Sequence, residues 1–176
     1  MIVVAGSPGA GKTTQCKLLS EQLGYIWISA GDLLRKYADD EHREVMLEGE
    51  LVEDAYVDSL VEQELSKYPD SEHLILLDGF PRDFHEARWL LEEYGASISH
   101  YIFIEIDQKT VIQRLMARGR KDDTEDAIEE RLKVFKEETD AIIEYFSEHG
   151  VPVIRVDGSD TIENVQSSVR EALHIG

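Results

Sequence analysis

A glycine-rich segment near the start of the chain reads Gly6-Ser7-Pro8-Gly9-Ala10-Gly11-Lys12-Thr13 and fits the pattern G-x-x-x-x-G-K-[ST]. It follows a short apolar run, Ile2 to Ala5, and opens a helical pattern that extends from Lys12 to Leu23. In this context the glycines let the backbone curl around phosphate oxygens, while N–H groups at the helix start point at them. An ordinary glycine-rich turn is the alternative, and the flanking strand and helix disfavour it. The segment predicts a loop that binds the phosphate chain of a nucleotide.

The composition restricts the classes of protein to which the chain can belong. Its 176 residues are enough for one compact domain, and a hydrophobic content of 42% is enough for a full core. The net charge of −19 disfavours nucleic acid and anionic membranes as partners. Cys16 is the single cysteine, which excludes an internal disulfide and a cysteine-cluster zinc site. Because we find neither a long apolar run nor a secretory signal pattern, we expect a cytoplasmic protein.

Short apolar runs alternate with helical patterns along the whole chain. Each run is nearly continuous, as expected of strands that are covered on both faces. The predicted strands are Ile2 to Ala5, Tyr25 to Ile28, Leu74 to Asp78, Tyr101 to Ile106 and Pro152 to Val156. The predicted helices are Lys12 to Leu23 and, approximately, 57–67, 84–94, 109–118, 124–149 and 161–174. This alternation predicts an α/β fold of the P-loop NTPase type, with three layers around a five-stranded parallel sheet.

A carboxylate at the end of a strand complements the predicted phosphate loop. Asp78 ends the apolar run that begins at Leu74, which is the position where a magnesium-binding acid belongs. Lys12 can reach the β- and γ-phosphates, and the Thr13 hydroxyl can ligate Mg²⁺. A simple turn-capping role is the alternative for Asp78. We expect Thr13 and Asp78 to hold Mg²⁺, partly through water.

Four arginines lie close together in an otherwise very acidic chain. They are Arg114, Arg118, Arg120 and Arg131. Arg114 and Arg118 are four residues apart and share a helical face. Phosphoryl transfer needs positive groups around the migrating phosphoryl, so the cluster is typical of an anion site. Surface salt bridges with Asp122, Asp123 and Glu130 explain the pattern equally well, and the residues alone leave both explanations open.

Four blocks of sequence, taken together, resemble a known family. They are Gly6–Gln15, Ser29-Ala30-Gly31-Asp32-Leu33-Leu34-Arg35, Asp78-Gly79-Phe80-Pro81-Arg82 and Arg118-Gly119-Arg120-Lys121-Asp122-Asp123. In order and spacing these blocks are similar to the adenylate kinase family, which includes the UMP/CMP kinases, and the resemblance covers essentially the whole chain. It implies a core formed by residues 1–28, 59–117 and 123–176. A small helical lobe at about 29–58 would bind the nucleoside monophosphate (NMP), and a very short lid would occupy about 118–122.

The resemblance implies roles for residues at the matching positions. For ATP binding these are Gly9, Ala10, Gly11, Lys12, Thr13, Thr14, Arg114, Arg118, Ser159 and Asp160. For NMP binding they are Ser29, Ala30, Arg35, Glu50, Leu51, Val52, Val57, Gly79, Arg82, Glu86, Arg120 and Arg131. The catalytic residues would be Lys12, Arg82, Arg118, Arg120 and Arg131. Arg114 would stack on the donor adenine, and Arg35 with Arg82 would hold the monophosphate.

The resemblance also implies the reaction. It is the reversible, Mg²⁺-dependent transfer of the γ-phosphate of ATP to a nucleoside monophosphate, with AMP as the default acceptor. A UMP/CMP kinase or another (deoxy)nucleoside monophosphate kinase on the same fold is one alternative. An adenylate-kinase-like ATPase that acts as an assembly factor is another. The expected partners are ATP or ADP and a monophosphate, without nucleic acid or membrane, and we expect a monomer that binds no zinc.

Two regions depart from the family pattern without affecting the acceptor base. Thr13 stands where adenylate kinases usually carry glycine, so the loop follows the general P-loop pattern more closely. Only Gly119 separates Arg118 from Arg120, which places the lid at the short extreme of the family. Such a lid lacks the long β-rich insert and its zinc-binding variants.

The pocket for the acceptor base departs from the family pattern at Ala30 and Glu86. Adenylate kinases typically have threonine and glutamine there, whereas UMP/CMP kinases have alanine and asparagine. An ionised glutamate can only accept hydrogen bonds, which favours a base edge rich in donors, such as that of guanine or the cytosine amino group. Alternatively, Glu86 turns outward or pairs with Arg88, and backbone groups read the base. We expect AMP selectivity to be relaxed.

Overall fold

The computed structural model describes residues 1–48, 52–119 and 124–175. Its strands are β1 (Ile2–Gly6), β2 (Ile26–Ser29), β3 (Ile75–Asp78), β4 (His100–Glu105) and β5 (Val153–Asp157). Its α-helices are α1 (Lys12–Leu23), α2 (Ala30–Tyr37), α3 (Asp40–Glu48), α4 (Asp54–Leu65), α5 (Phe84–Tyr94), α6 (Gln108–Arg118), α7 (Glu125–Glu148) and α8 (Ile162–Ala172). Short 3-10 turns precede β3 and follow α5. The five predicted strands are all confirmed.

The strands form one parallel sheet in the order β2-β3-β1-β4-β5. β1 is central and pairs with β3 and β4, with Val4 opposite Asp78 and Gly6 opposite Ile104. Because all the strands point the same way, their carboxyl ends meet at one edge of the sheet. Ligands of open parallel sheets bind in the crevice beyond this edge. The predicted α/β fold is confirmed, and its topology locates the site.

Alternate residues of the central strands enter two separate cores. Ile2, Val4 and Leu76 face the core that also contains Cys16, Leu19, Val165 and Val169, from α1 and α8. Val3 and Leu77 face the opposite core, which is covered by residues of α2, α4, α5 and α7. Side chains of a strand alternate between its two faces, so a nearly continuous apolar run fits a sheet with helices on both sides. This packing produces the three predicted layers.

Gly6 occupies the position where β1 passes closest to β4. Its φ is +144°, and a Cβ atom built there would lie 2.0 Å from the Ile104 carbonyl oxygen. Any larger residue would push the two strands apart at the start of the glycine-rich loop. The first glycine of the motif is therefore required by strand packing as well as by the turn.

Between β2 and β3 the chain forms α2, α3 and α4. The predicted helix at about 57–67 corresponds to α4, whereas for α2 and α3 the sequence indicated only a small helical lobe at about 29–58. The Ser29 hydroxyl accepts a hydrogen bond from Asp32 N, which caps the start of α2. His42 of α3 stacks on Tyr56 of α4 at 3.9 Å between ring centroids, so the two helices are joined by a side-chain contact. Across the described ranges, no helix is long and apolar enough to cross a membrane.

Leu77→Ala tests the contribution of the sheet core to stability. Leu77 is fully buried, so its truncation leaves a cavity and should lower the free energy of unfolding by about 2–5 kcal/mol. Leu74, of the same type and close in sequence, is 38% exposed, and Leu74→Ala should cost about 0.5 kcal/mol or less. Chemical denaturation of the two variants measures the difference. Equal losses would contradict the two-sided core.

Candidate active site

The glycine-rich loop joins β1 directly to α1. Ala10 N donates to Ser7 O at 3.0 Å, which closes a turn inside the loop. Gly9 and Gly11 have φ angles of +77° and +91°, a region that favours glycine. Gly11 is the N-cap of α1 and has no side chain with which to cap it. The first N–H groups of α1 therefore face the loop, where they can donate to an anion.

The Lys12 side chain folds back over this loop. Its Nζ donates to Gly6 O at 2.7 Å and to Ser7 O at 2.9 Å. Burial lowers the pKa of the Lys12 ammonium, and the negative charge of Asp78 opposes this shift. A phosphate oxygen is a stronger acceptor for an ammonium than a backbone carbonyl is. The ammonium can thus exchange loop carbonyls for a phosphate with a small movement.

Oxygen donors suited to a magnesium ion meet beside the loop. Thr13 Oγ1 donates to Asp78 Oδ2 at 2.7 Å, and Trp27 Nε1 donates to the same oxygen at 3.2 Å. Asp78 is buried at the end of β3. A hydroxyl and a carboxylate are hard donors of the kind that Mg²⁺ uses together with substrate phosphates. In the described ranges no three His, Cys, Asp or Glu residues cluster as a metal site.

Two cavities meet at Lys12, which lines both of them. The first cavity, of about 240 Å³, has five cationic residues in its lining, Lys12, Arg35, Arg82, Arg118 and Arg131, and also Gly31 and Gly79. The second cavity, of about 420 Å³, is lined by residues 9–15 of the loop and by Arg114, Arg118, Gly158 and Asp160. Lys12 and Arg118 line both. Groups bound in the two cavities would therefore meet at these two cations.

Two arginines of the first cavity are held by contacts within the described residues. Arg35 pairs with Asp32, one turn earlier in α2. Arg131 Nη2 donates to Met46 O at 3.2 Å, so α7 contacts α3. Tyr101, Phe103 and Phe135 form an apolar wall of the same cavity. The arrangement combines several positive groups with a surface from which water is partly excluded.

Glu86 follows neither of the two alternatives given for its side chain, an outward orientation or an ion pair with Arg88. It is fully buried, so it does not turn outward, and it does not pair with Arg88. Arg88 pairs with Glu92, because residues four apart share a helical face and residues two apart do not. Glu86 Oε1 accepts from Arg82 Nη2 at 2.9 Å, and Oε2 accepts from Arg82 N at 2.6 Å. This placement does not support Glu86 as a side chain that reads the base.

Arg114 defines one wall of the second cavity. Its Nη1 donates to Gly158 O at 3.0 Å, which places the guanidinium beside the loop that follows β5. Ser159 does not line this cavity; its N and Oγ donate to Asp157 Oδ1, and these bonds lower the pKa of Asp157. The planar Arg114 group and the adjacent loop provide a surface on which a ring can stack.

The predicted site residues divide into three groups. Those that line a cavity are Gly9, Ala10, Gly11, Lys12, Thr13, Thr14, Arg35, Gly79, Arg82, Arg114, Arg118, Arg131 and Asp160. Those that line neither cavity are Ser29, Ala30, Val52, Val57, Asp78, Glu86 and Ser159. Glu50, Leu51 and Arg120 lie outside the described residues. The individual roles of all these residues stay predictions.

Three residues of the site were absent from the sequence analysis. Trp27 donates to Asp78, and its place near the end of β2 could have indicated a residue close to the sheet edge. Gly158 accepts from Arg114, and a glycine directly after the last strand is a comparable signal. Met46 contributes only its backbone carbonyl, for which no sequence signal exists.

Comparisons with known proteins agree with this geometry. The model of the adenylate kinase family matches residues 4–151. An adenylate kinase of Prochlorococcus marinus strain MIT 9211 is 39% identical over 181 residues, which cover 98% of this chain and 96% of the relative. Adenylate kinases of Rhodococcus erythropolis and Thermus thermophilus are 34% and 33% identical, and each alignment covers at least 97% of both chains.

Fold, loop and similarity together define the class of the protein. A parallel sheet with a glycine-rich loop and a lysine that lines two cavities is typical of nucleotide-binding phosphotransferases. The chain belongs to the adenylate kinase family. The resemblance of the four sequence blocks is thereby confirmed.

Gly158→Ala should weaken ATP binding through steric contact. A Cβ atom at Gly158 would lie 2.6 Å from Ile104 Cγ2, which must move, and 3.0 Å from Ala10 O, a tight contact with the phosphate loop. Overpacking costs about 1–3 kcal/mol, and with about half of this cost in the ATP-bound state the KM for ATP should rise roughly two- to tenfold. In Gly95→Ala the nearest atom would be Leu91 Cδ2 at 3.6 Å, and we expect no change. An unchanged KM in Gly158→Ala would contradict the close contact.

Proposed function

We propose that the protein transfers the γ-phosphate of ATP reversibly to a nucleoside monophosphate, with AMP as the preferred acceptor. The observation that carries this proposal is that Lys12 and Arg118 line both cavities. ATP would occupy the second cavity, along the glycine-rich loop, and the monophosphate would occupy the first, near Arg35 and Arg82. The relatives reported above are adenylate kinases, and they align along nearly the whole chain, which supports AMP as the acceptor.

The reaction depends on the positioning of the two substrates and on positive charge around the phosphoryl, and it needs no general base. An oxygen of the acceptor phosphate attacks the γ-phosphorus of ATP, the bond from this phosphorus to the bridging oxygen breaks, and ADP leaves with the electron pair. The attacking oxygen is already anionic, so no residue has to remove a proton. Lys12 would leave the loop carbonyls to contact the phosphoryl in transfer, with Arg82, Arg118 and Arg131 around it.

Thr13 and Asp78 are the residues that would hold a magnesium ion. Their oxygen atoms lie 2.7 Å apart beside the loop, and both are donors that the ion accepts. When bound, the ion would neutralise charge on the donor phosphates. Trp27 would keep the Asp78 carboxylate in place through its indole N–H.

Closure around the substrates would exclude water from the transfer. We retain residues 29–58 as the acceptor lobe and 118–122 as the lid; of the lid, only Arg118 and Gly119 lie within the described residues. The bond from Arg131 to Met46 O connects the lobe to the helix that carries a catalytic arginine. We further propose a monomeric, cytoplasmic enzyme that does not act on nucleic acid or membranes.

Lys12→Met should lower turnover by about 10²-fold or more, because it removes the ammonium that contacts the transferring phosphoryl. The assay is the formation of ADP from ATP and AMP. Lys109→Met is a matched control, since Lys109 is exposed at the start of α6 and lines neither cavity, and it should retain full activity. A Lys12→Met protein with near-normal turnover would refute the mechanism.

A panel of AMP, CMP, UMP, GMP and their deoxy forms identifies the acceptor. We expect AMP to be best, with measurable transfer to other bases, because Ala30 has no hydrogen-bonding side chain and the Glu86 carboxylate is bound to Arg82. Strict AMP selectivity would contradict relaxed recognition of the base. A preference for CMP and UMP would favour the UMP/CMP kinase alternative. ATP consumption that is independent of every monophosphate would instead support the ATPase alternative.

A further inference from the structure

We propose that Glu86 is a positioning residue, which holds Arg82 in the geometry that binds the acceptor phosphate, and that its carboxylate does not select the acceptor base. This inference rests on the proposed function, because the contribution of Arg82 is measured through phosphoryl transfer. It concerns a position at which this chain differs from the pattern of the family it belongs to.

The start of α5 directs the Glu86 side chain toward Arg82. Asp83 is the N-cap, with extended backbone angles, and its carboxylate accepts from Glu86 N at 2.9 Å. Glu86 is the third residue of the helix, a position from which a glutamate reaches back over the residues before the helix. Here it reaches Arg82, one residue before the cap. The local geometry therefore aims the carboxylate at the segment that precedes α5.

Both oxygens of Glu86 are used by the same residue. One accepts from the backbone N–H of Arg82 and the other from its guanidinium, at 2.6 and 2.9 Å. The first bond fixes where the arginine leaves the chain, and the second fixes the direction of its side chain. Charge-assisted bonds of this kind are short and directional. Rotation of the guanidinium away from the first cavity would break the second bond.

The guanidinium keeps donors for an anion after it has bound Glu86. A guanidinium has five N–H donors, of which Glu86 takes one. The Arg82 side chain is 25% exposed and lines the first cavity together with Lys12 and Arg118. Its Nε is buried and has no hydrogen-bond partner among the described residues. An acceptor phosphate in this cavity could supply acceptors for the remaining N–H groups.

The charge of Glu86 also has a cost, which the pair with Arg82 offsets. The side chain is fully buried, and burial raises the pKa of the carboxyl while the adjacent guanidinium opposes the shift. A buried carboxylate is retained without large penalty when it is paired and fully hydrogen-bonded. To read a base, Glu86 would have to leave Arg82 each time a substrate binds. The Arg82 guanidinium would then face the positive charges of Lys12 and Arg118 without its carboxylate partner.

The test compares Glu86→Gln and Glu86→Met with Glu92→Gln. Glutamine keeps an acceptor for Arg82 N but loses the charge, whereas methionine keeps only the length and removes the buried polar atoms. Glu92 is a matched control, because it pairs with Arg88 four residues earlier in the same helix, at 3.6 Å, but on an exposed face. Thermal unfolding shows which variants fold. Because Glu86 is replaced in two different ways, one variant can still be assayed if the other does not fold.

We expect the Glu86 variants to lose roughly 10- to 100-fold in kcat/KM for AMP, CMP and GMP alike, because a misplaced arginine affects the phosphate that all three share. The ranking of the acceptors and the KM for ATP should not change, and Glu92→Gln should resemble the wild type. A changed ranking would overturn the proposal in favour of base recognition. Unchanged kinetics in a folded variant would overturn it as well.

A double-mutant cycle with Arg82→Lys tests whether Glu86 acts through Arg82. If it does, Glu86→Gln should have little further effect once Arg82 is lysine, since the geometry that it maintains has been lost. Independent, additive losses would contradict the proposal. Failure of the proposed function is distinguishable, because it would appear in the wild type as no transfer to any monophosphate. Failure of the Glu86 proposal would appear only in the variants.

Discussion

The parallel pairing of β1 with β3 on one side and β4 on the other is the constraint on which the site depends. It brings the end of β3, with Asp78, to the side of the glycine-rich loop that leaves β1. It also presses Gly6 against the Ile104 carbonyl, a contact that only glycine allows. Because β1 is buried between two strands and two cores, the loop starts from a rigid position. The helix that follows then presents its free N–H groups to the cavities.

The charge of the site contrasts with the charge of the chain. A protein with a net charge of −19 gathers Lys12, Arg35, Arg82, Arg118 and Arg131 around one cavity. Among these arginines, Arg35 pairs with Asp32 and Arg82 pairs with Glu86. Such pairs reduce the mutual repulsion of the cations before a phosphate binds, and they orient the guanidinium groups. A dense group of cations thus becomes compatible with a folded, buried site.

Local sequence patterns were sufficient for most of the fold because they report short-range geometry. Apolar runs predicted all five strands, and the glycine-rich motif predicted the turn between β1 and α1. The same information did not place the Glu86 side chain. The partner of Glu86 depends on the extended backbone of Asp83, the residue that caps the start of the helix. Helical periodicity relates Glu86 to Arg88 inside the helix, but it does not describe the turn that precedes the helix. The contact from Arg131 to Met46 O was beyond prediction for another reason, because a backbone carbonyl has no signature in the sequence.

The sequence by itself determined the class of the protein: a phosphate loop, an aspartate at the end of a strand and a set of arginines in the order of a known family. Each of these is a short motif whose chemistry depends on residues that are neighbours along the chain. Only the tertiary structure decided which of those residues meet. The strand order placed Lys12 and Arg118 between the two cavities. The start of α5 directed Glu86 to Arg82, since the partner of a buried charge is chosen by packing and not by residue type alone.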